Sequence, residues 1–193
     1  MKYYIIAGEP SGDRYAAQLV EALRLKDAQA SFIAWGGPCL AAVGVQPTRT
    51  LEQLAFMGFW EVLKNLRHVW MNFRQFKREL KTHKPDAVIF IDYPGFNLKA
   101  AKISQEQGFR NFYYISPQLW AWKKNRLALI EKFIEKMIVI FPFEVDYYAV
   151  HGVEVYYYGH PLAHEIEHYK KMNLPPSPPA HQLALLPGSR VQE

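Results

Sequence analysis

The sequence has one cysteine and no apolar run long enough to cross a membrane. Cys39 has no second thiol to pair with, so an internal disulfide is excluded and a reducing compartment is favoured. A transmembrane helix needs about 20 consecutive apolar residues, and the sequence has no such run. We therefore expect a soluble protein or one bound to a membrane surface. No His or second Cys lies near Cys39, so it is predicted to be a small buried apolar residue.

Acidic residues are in the minority. The 18 Asp and Glu residues are outnumbered by 23 Lys and Arg residues, which gives a formal net charge of +5. This balance favours an anionic partner, whether a phosphate-bearing substrate, an acidic membrane surface or a nucleic acid. Half of the 193 residues are hydrophobic and 15% are aromatic, so extensive disorder is excluded and one domain with a sizeable core is expected.

Short apolar runs alternate with helical patterns along the chain. This alternation, repeated at least five times, predicts an α/β fold with a Rossmann-like parallel sheet and helices on both faces. The predicted strands cover residues 3–7, 31–35, a short piece from 45, 87–91, 112–115, 137–140 and 155–158.

A proline-rich stretch divides the sequence near its end. Four prolines within residues 175–179 are compatible with neither a helix nor a central strand, so they predict a stiff linker. Residues 182–186 then have the pattern of a new strand. We expect a Rossmann-like domain over residues 1–172, a linker over 173–182 and the start of a truncated second domain over 183–193. The chain is therefore expected to be the amino-terminal half of a larger protein.

The strongest candidate for a catalytic residue is Asp92. Residues 87–91 form a continuous apolar run, which predicts a strand buried on both faces. Asp92 follows at the carboxyl end of that strand, where open α/β sheets bind their ligands. Pro94 and Gly95 then end the strand, and Asn97 is predicted to cap the next helix. We expect Asp92 to act as a general base at the rim of a cleft.

A turn with two glycines follows the first strand. Residues 8–13 read Gly-Glu-Pro-Ser-Gly-Asp, and such a turn with the following helix start can present backbone N–H groups to a phosphate or oxyanion. The turn lacks the G-x-G-x-x-G pattern, so binding of NAD or FAD is not predicted. The alternative is that Ser11 or Asp13 only caps the helix.

Two more strand ends supply candidates for the cleft. Trp120 and Trp122 follow the strand over residues 112–115, where their rings would either stack on a sugar or base or only line the cleft. His160 follows the strand over residues 155–158 and is a weaker candidate, because a lone His is more often structural.

The segment over residues 56–80 is amphipathic, aromatic and basic. Its apolar residues recur at helical spacing, with Lys and Arg residues between them. One interpretation is a helix that lies on a membrane surface. The other is a pair of core helices with a solvated basic face, which is the more common arrangement.

Short motifs along the whole chain resemble, in order, those of the lipid-A-disaccharide synthases. Each motif alone is weak, whereas the ordered set is specific. The motifs are Gly8-Glu9-Pro10-Ser11-Gly12-Asp13, Met57-Gly58, Ile91-Asp92-Tyr93-Pro94-Gly95-Phe96-Asn97, Ser116-Pro117-Gln118-Leu119-Trp120-Ala121-Trp122, Phe141-Pro142-Phe143-Glu144, Gly159-His160-Pro161 and Leu185-Leu186-Pro187-Gly188-Ser189-Arg190.

The resemblance implies a bacterial inverting glycosyltransferase in which two Rossmann-like domains face a cleft. This chain would be the acceptor-side domain, and the second domain would bind the UDP-sugar. The implied reaction moves 2,3-diacylglucosamine from its UDP derivative to 2,3-diacylglucosamine 1-phosphate and forms the β-1,6-linked lipid A precursor. No metal or organic cofactor is implied. The family acts at the cytoplasmic face of the inner membrane, so the membrane interpretation is favoured, with these residues facing the lipid: Phe59, Trp60, Leu63 and Trp70.

The resemblance also implies roles for single residues. Asp92 matches the family's proposed catalytic Asp, and Arg190 matches a functionally important Arg whose positive charge would stabilise phosphate. Members of the family often carry a second Asp where this chain has Gly95. The motifs that line the cleft imply these substrate-binding residues: Gly8, Glu9, Ser11, Gly12, Asp13, Asn97, Ser116, Gln118, Trp120, Trp122 and His160.

The alternative function is a Rossmann-like module that binds a phosphorylated ligand or an anionic membrane without chemistry. It has particular weight for the 193-residue chain alone, which is expected to be inactive because members of the family carry a second domain. A nucleic-acid-binding protein is not favoured, since no recognised nucleic-acid motif is present and the basic residues are interleaved with a wide apolar stripe.

Overall fold

The computed structural model describes residues 1–54, 66–119 and 126–173. Seven strands within these ranges form one parallel sheet in the order β3-β2-β1-β4-β5-β6-β7. The strands are β1 (Lys2–Ala7), β2 (Ser31–Gly36), β3 (Pro47–Thr50), β4 (Ala87–Ile91), β5 (Asn111–Tyr114), β6 (Lys136–Val139) and β7 (Val155–Tyr157). The helices are α1 (Pro10–Lys26), α2 (Pro38–Ala42), α3 (Leu51–Leu54), α4 (Leu66–His83), α5 (Pro94–Gln105), α6 (Leu127–Phe133), α7 (Pro142–Val150) and α8 (Pro161–Asn173).

The middle of the sheet is its most buried part. β1 and β4 pair in parallel, with Tyr4 opposite Val88 and Ile6 opposite Phe90. Every residue of β4 is buried, which explains why its sequence is continuously apolar and does not alternate. The predicted Rossmann-like α/β fold is confirmed, and the predicted bounds of β4 are correct to the residue.

Helices cover both faces of the sheet. Successive side chains of a strand point to opposite faces, so Tyr4 points to one face and Tyr3 to the other. Phe76 of α4 packs on Tyr4, with ring centroids 5.5 Å apart. Leu19 and Leu23 of α1 lie on the opposite face, where they and Tyr3 line one pocket. This is the doubly covered sheet that the sequence predicts.

A buried carboxylate joins the first three strands to α4. Glu79 is 9% exposed. Its Oε2 accepts hydrogen bonds from the Tyr4 hydroxyl (2.5 Å), Trp35 Nε1 (3.0 Å) and the Thr48 hydroxyl (3.0 Å), and its Oε1 accepts one from Gln75 Nε2 (2.6 Å). Burial raises the pKa of Glu79, but the hydrogen bonds outweigh burial and hold the pKa below its ordinary value.

Two helices begin earlier than the sequence pattern predicts. α1 begins at Pro10 instead of after Asp13, and α5 begins at Pro94, before Asn97. Proline has no N–H group, but this costs no hydrogen bond at the first helical position, because the first N–H groups of a helix have no intrahelical partner. The residue at the cap position of α5 is Tyr93, so the prediction that Asn97 caps this helix is wrong.

The chain divides into two compact units, Met1–His160 and Pro161–Glu193. Helix α8 is the described part of the second unit, and the sequence pattern did not predict it. Residues from 174 onward lie outside the described ranges. The linker, the second domain and the boundary at residue 172 therefore stay predictions.

Candidate active site

The strand order reverses between β1 and β4, at the centre of the sheet. β2 and β3 lie on one side of this point, and β5, β6 and β7 lie on the other. In open α/β sheets the loops on either side of such a point run apart and leave a crevice that binds ligands, so we expect a crevice at the carboxyl ends of β1 and β4. Glu9 follows β1 and Asp92 follows β4, so both carboxyl groups belong to this crevice.

Asp92 has an uncommon backbone conformation. The φ angles of Asp92 and Tyr93 are +45° and +49°, in the left-handed region that costs a residue other than glycine about 1 kcal/mol or more. The Asp92 N–H donates a hydrogen bond to the Tyr114 carbonyl (3.0 Å). The Asp92 carbonyl accepts hydrogen bonds from the Tyr113 hydroxyl (2.6 Å) and Asn97 Nδ2 (2.7 Å). These neighbours hold the Asp92 backbone in one conformation at the crevice.

The Asp92 carboxyl group is half-buried and lies near a second carboxyl group. Burial raises its pKa, and the negative charge of Glu9 raises it further, to about 6. No Lys or Arg of the described ranges forms an ion pair with Asp92. A carboxyl group with this pKa is ionised at neutral pH and is a stronger base than an ordinary Asp, which suits it to accept a proton.

Gly8 lets the ring of Tyr93 lie against the end of β1. A Cβ atom at position 8 would lie 2.3 Å from Tyr93 Cδ1, so any side chain there would collide with the ring. The ring is also held from its other end, because the Tyr93 hydroxyl donates a hydrogen bond to the Leu54 carbonyl at 2.8 Å. Gly8 therefore leaves room for the Tyr93 ring against the end of β1.

Replacing Gly8 with Ala is expected to lower the free energy of unfolding by about 1–3 kcal/mol, because overpacking pushes Tyr93 out of place. Gly12→Ala is the matched control, since a Cβ there would be 3.6 Å from its nearest neighbour, an ordinary contact. Urea denaturation of both variants measures the difference. If the two variants were equally stable, the Tyr93 ring would have to move aside without cost.

Asn97 supports the Asp92 loop from the interior. Its side chain is fully buried, and its Nδ2 donates hydrogen bonds to the carbonyls of Ile91 (3.2 Å) and Asp92 (2.7 Å). Asn97 therefore positions the loop that carries Asp92. Its predicted contact with a substrate stays a prediction.

Asp13 binds a neighbouring loop. Its buried carboxylate accepts hydrogen bonds from the backbone N–H groups of Gly37 (2.7 Å), Cys39 (2.8 Å) and Leu40 (3.3 Å), at the start of α2. Gly36 and Gly37 make room for it, because a Cβ at either position would lie within 3.0 Å of an Asp13 oxygen. Cys39 is only half-buried, so its predicted burial is only partly correct.

The first turn of α1 has no side-chain cap. Glu9 occupies the cap position without a side-chain hydrogen bond, so the alternative in which Ser11 or Asp13 caps this helix is wrong. Ser11 is exposed and Gly12 is buried. The exposure of Ser11 is compatible with its predicted ligand contact.

Ser116 and Gln118 follow β5. Ser116 is buried, and its Oγ lies 2.7 Å from the Tyr148 hydroxyl and donates a hydrogen bond to the Pro117 carbonyl (3.0 Å). Gln118 is exposed. The Ser116 hydroxyl is therefore used within the protein, whereas the Gln118 side chain is accessible to a ligand.

His160 lies apart from the crevice. It follows β7, three strand positions from β4, and three strand spacings amount to roughly 14 Å. Its ring is half-buried, with the Phe141 ring centroid 5.5 Å away. The structure thus brings Gly8, Glu9, Asp92 and Asn97 together, whereas Asp13 bonds the loop after β2 and His160 follows β7.

Several predicted residues lie outside the described ranges, so their roles stay predictions: Trp120, Trp122 and Arg190 for the cleft, and Phe59, Trp60 and Leu63 for the membrane. Trp70 is described, and it is 58% exposed on α4. Among the helices of the described ranges, none is both long enough and apolar enough to pass through a bilayer.

Sequence reasoning missed three residues that shape the site. Tyr93 lies over Gly8, Tyr113 bonds the Asp92 carbonyl, and Ile115 has a φ of +67° just after β5. A positive φ is a genuine outlier for a β-branched residue. Tyr93 could have been found from its place between Asp92 and Pro94. Nothing in the sequence distinguishes Tyr113 from other strand aromatics.

Gly95 is exposed, and a Cβ there would meet no atom within 4 Å. The packing therefore does not require glycine at this position. A side chain could therefore begin at this position without a collision at its Cβ atom.

The strand order defines a Rossmann-like α/β domain. The UDP-GlcNAc 2-epimerase of Methanocaldococcus jannaschii, solved with UDP-GlcNAc and UDP, has a TM-score of 0.66 at 12% identity, over 89% of this chain and 50% of that one. The Neisseria meningitidis enzyme bound to UDP-GlcNAc has a TM-score of 0.62 at 13% identity, over 88% and 50%. At these identities the likeness shows a shared fold alone.

Sequence comparison narrows this class to a family. The family model described as lipid-A-disaccharide synthetase matches residues 3–193, so the chain belongs to that family. The lipid-A-disaccharide synthases of Acidobacterium capsulatum and Coxiella burnetii are each 39% identical to it over 98% of the chain. Lipid-A-disaccharide synthase 1 of Legionella pneumophila is 42% identical over 98%. The chain spans about half the length of these relatives, at 49%, 52% and 51% in the same order.

Proposed function

We propose that this chain is the acceptor-side domain of a glycosyltransferase. The proposed reaction moves 2,3-diacylglucosamine from its UDP derivative to 2,3-diacylglucosamine 1-phosphate. The observation that carries the proposal is the half-buried Asp92 carboxyl group at the central crevice, with a pKa of about 6. Family membership supports the reaction class, and the net charge of +5 suits phosphorylated substrates.

Asp92 is the base in the proposed reaction. It takes the proton of the attacking acceptor hydroxyl while that oxygen bonds to the anomeric carbon of the donor. The bond from the anomeric carbon to the phosphate oxygen breaks, UDP leaves with the electron pair, and the configuration at this carbon inverts. Asp92 then returns the proton to solvent. We assign Arg190 the role of stabilising the phosphate charge, on the resemblance alone.

We further propose that the protein acts at the cytoplasmic face of the inner membrane. Both proposed substrates are lipids, and α4 presents exposed apolar side chains beside basic ones. Trp70 is 58% exposed and Met71 is 42% exposed. Amphipathic helices of this kind bind at the boundary between headgroups and acyl chains.

The purified 193-residue chain is expected to form no disaccharide, because its relatives use about twice its length. A radiolabelled transfer assay tests this. Fusion to the carboxyl-terminal half of the Coxiella burnetii relative is expected to restore synthesis. Robust turnover by the 193-residue chain alone would contradict the expectation.

The second candidate is a module that binds a phosphorylated ligand or an anionic membrane without chemistry. The exposed apolar and basic surface of α4 favours it for the chain alone. Asp92→Asn in the fusion separates the two candidates. If the variant loses glycosyl transfer but still binds lipid, the result supports the enzyme hypothesis. If it keeps both glycosyl transfer and lipid binding, Asp92 has no catalytic role.

A further inference from the structure

A pocket of about 310 Å³ lies between the edge strand β3 and helix α4, and three arginines surround it. Trp70, Arg74 and Arg78 follow one another at intervals of four residues, so they share one face of α4. Arg49 approaches from β3. The remaining lining residues are Met71 and Gln75. The pocket is three strand positions away from β4, so it is separate from the Asp92 crevice.

The positive charge of this pocket is not neutralised by the described protein. Within the described ranges, no carboxylate lies within ion-pair distance of Arg49, Arg74 or Arg78. Glu79 is on the same helix, but its oxygens already accept four hydrogen bonds from neutral groups. Like charges one turn apart on a helix destabilise it, so this arrangement has a cost that an anion would remove.

The Arg49 guanidinium group has a nitrogen atom without a hydrogen-bond partner. Its Nε is enclosed by protein and has no hydrogen-bond partner among the described residues. An enclosed donor without an acceptor costs free energy, and such groups are rare in folded proteins.

We propose that Arg49, Arg74 and Arg78 form a binding site for a phosphate group. Planar guanidinium groups pair with phosphate oxygens through two parallel hydrogen bonds, and three of them match an anion with several oxygens. The phosphate is either free in solution or carried by a lipid headgroup. The exposed side chains of Trp70 and Met71 at the rim would contact the apolar part of a lipid. This inference deepens the proposed membrane association but does not depend on glycosyl transfer.

The test compares two double variants of the 193-residue chain. Arg74→Gln/Arg78→Gln removes two charges that line the pocket. Lys77→Gln/Lys81→Gln is the matched control, because it removes two exposed charges of the same helix that do not line the pocket. Arg49→Lys is a third variant, which keeps the charge but removes the planar fork. Circular dichroism of each variant confirms that the fold is kept.

Two ligand forms distinguish the source of the phosphate. Inorganic phosphate is titrated by calorimetry, and cosedimentation is measured with phosphatidylcholine vesicles with and without phosphatidic acid. Loss of two charge-assisted hydrogen bonds is expected to weaken binding about 10- to 100-fold in the Arg74/Arg78 variant. The lysine variant is expected to stay within about threefold of the original chain, because Lys77 and Lys81 do not line the pocket.

Each outcome decides the proposal. Arginine-dependent binding of inorganic phosphate supports a site for free phosphate, and arginine-dependent binding of only the vesicles with phosphatidic acid supports a headgroup site. Equal losses in the arginine and lysine variants, or no binding of either form, would overturn the proposal. All readouts are binding measurements on this chain, so failure of the glycosyltransferase proposal would leave them unchanged.

Discussion

Asp92→Asn is expected to lower disaccharide synthesis by about 100- to 10,000-fold, the usual contribution of a general base. The change is measured in the fusion to the carboxyl-terminal half of the Coxiella burnetii relative. Asn has the shape of Asp and tolerates the left-handed backbone conformation, so the loop is expected to keep its geometry. What is lost is the group that accepts the proton. Binding of the acceptor lipid is therefore expected to change little.

The pH dependence of the fusion gives a second readout of the same residue. The pKa of Asp92 is about 6, and only its ionised form accepts a proton. Below pH 6 the rate at low substrate concentration is expected to fall about tenfold for each pH unit. Asp92→Asn is expected to abolish this fall. A rate that stays level down to pH 4.5 in the original fusion would contradict the role of Asp92.

The same substitution is expected to stabilise the fold at neutral pH. The pKa of Asp92 is raised above its ordinary value of 3.8, so the charged form is disfavoured in the folded state. The stability gained from the protonated form is present below pH 3.8 and is lost as the pH rises through 6. At pH 8 the variant is expected to gain about 1–2 kcal/mol, after a discount for the solvent exposure of this half-buried group. At pH 3.5 the gain is expected to vanish.

The part of the site that is local in sequence could be predicted. A continuous apolar run marks β4 as a buried strand, and an acidic residue followed by Pro94 and Gly95 marks its end. Those two signals are enough to place Asp92 at the carboxyl edge of the sheet. The raised pKa could not be predicted in this way, since it depends on burial and on Glu9, which precedes Asp92 by more than 80 residues.

The predicted helix caps were wrong because these polar side chains form hydrogen bonds to segments outside their own helix. Asp13 and Asn97 are both common at helix caps, so their residue types favour that interpretation. In the structure Asp13 instead binds backbone N–H groups 24 to 27 residues away, and Asn97 binds the end of the preceding strand. Residue type indicates that such a side chain needs a hydrogen-bond partner. It does not indicate which distant segment provides the partner.

Glu79→Ala is expected to lower the free energy of unfolding by about 3–5 kcal/mol, the range seen when one partner of a buried charged network is removed. The change leaves the Tyr4 hydroxyl and Trp35 Nε1 without their acceptor, along with the donors on Thr48 and Gln75. For a chain of this length, the melting temperature is expected to fall by about 6–20 °C. Differential scanning calorimetry at neutral pH measures this change. Glu106→Ala is the matched control, because Glu106 forms only an exposed pair with Lys102, and such pairs contribute little.

Acid should narrow the stability difference between the original chain and Glu79→Ala. Burial raises the pKa of Glu79, but the hydrogen bonds to its carboxylate outweigh burial and hold the pKa below its ordinary value of 4.5. The stability that the charge contributes is therefore present above pH 4.5 and is lost as the pH falls through the lower pKa of the folded state. A gap between the two melting temperatures that is unchanged from pH 7 to pH 3 would show that the side chain acts by packing alone. A gap that narrows in acid would show that the charge of Glu79 contributes to holding α4 against β1, β2 and β3.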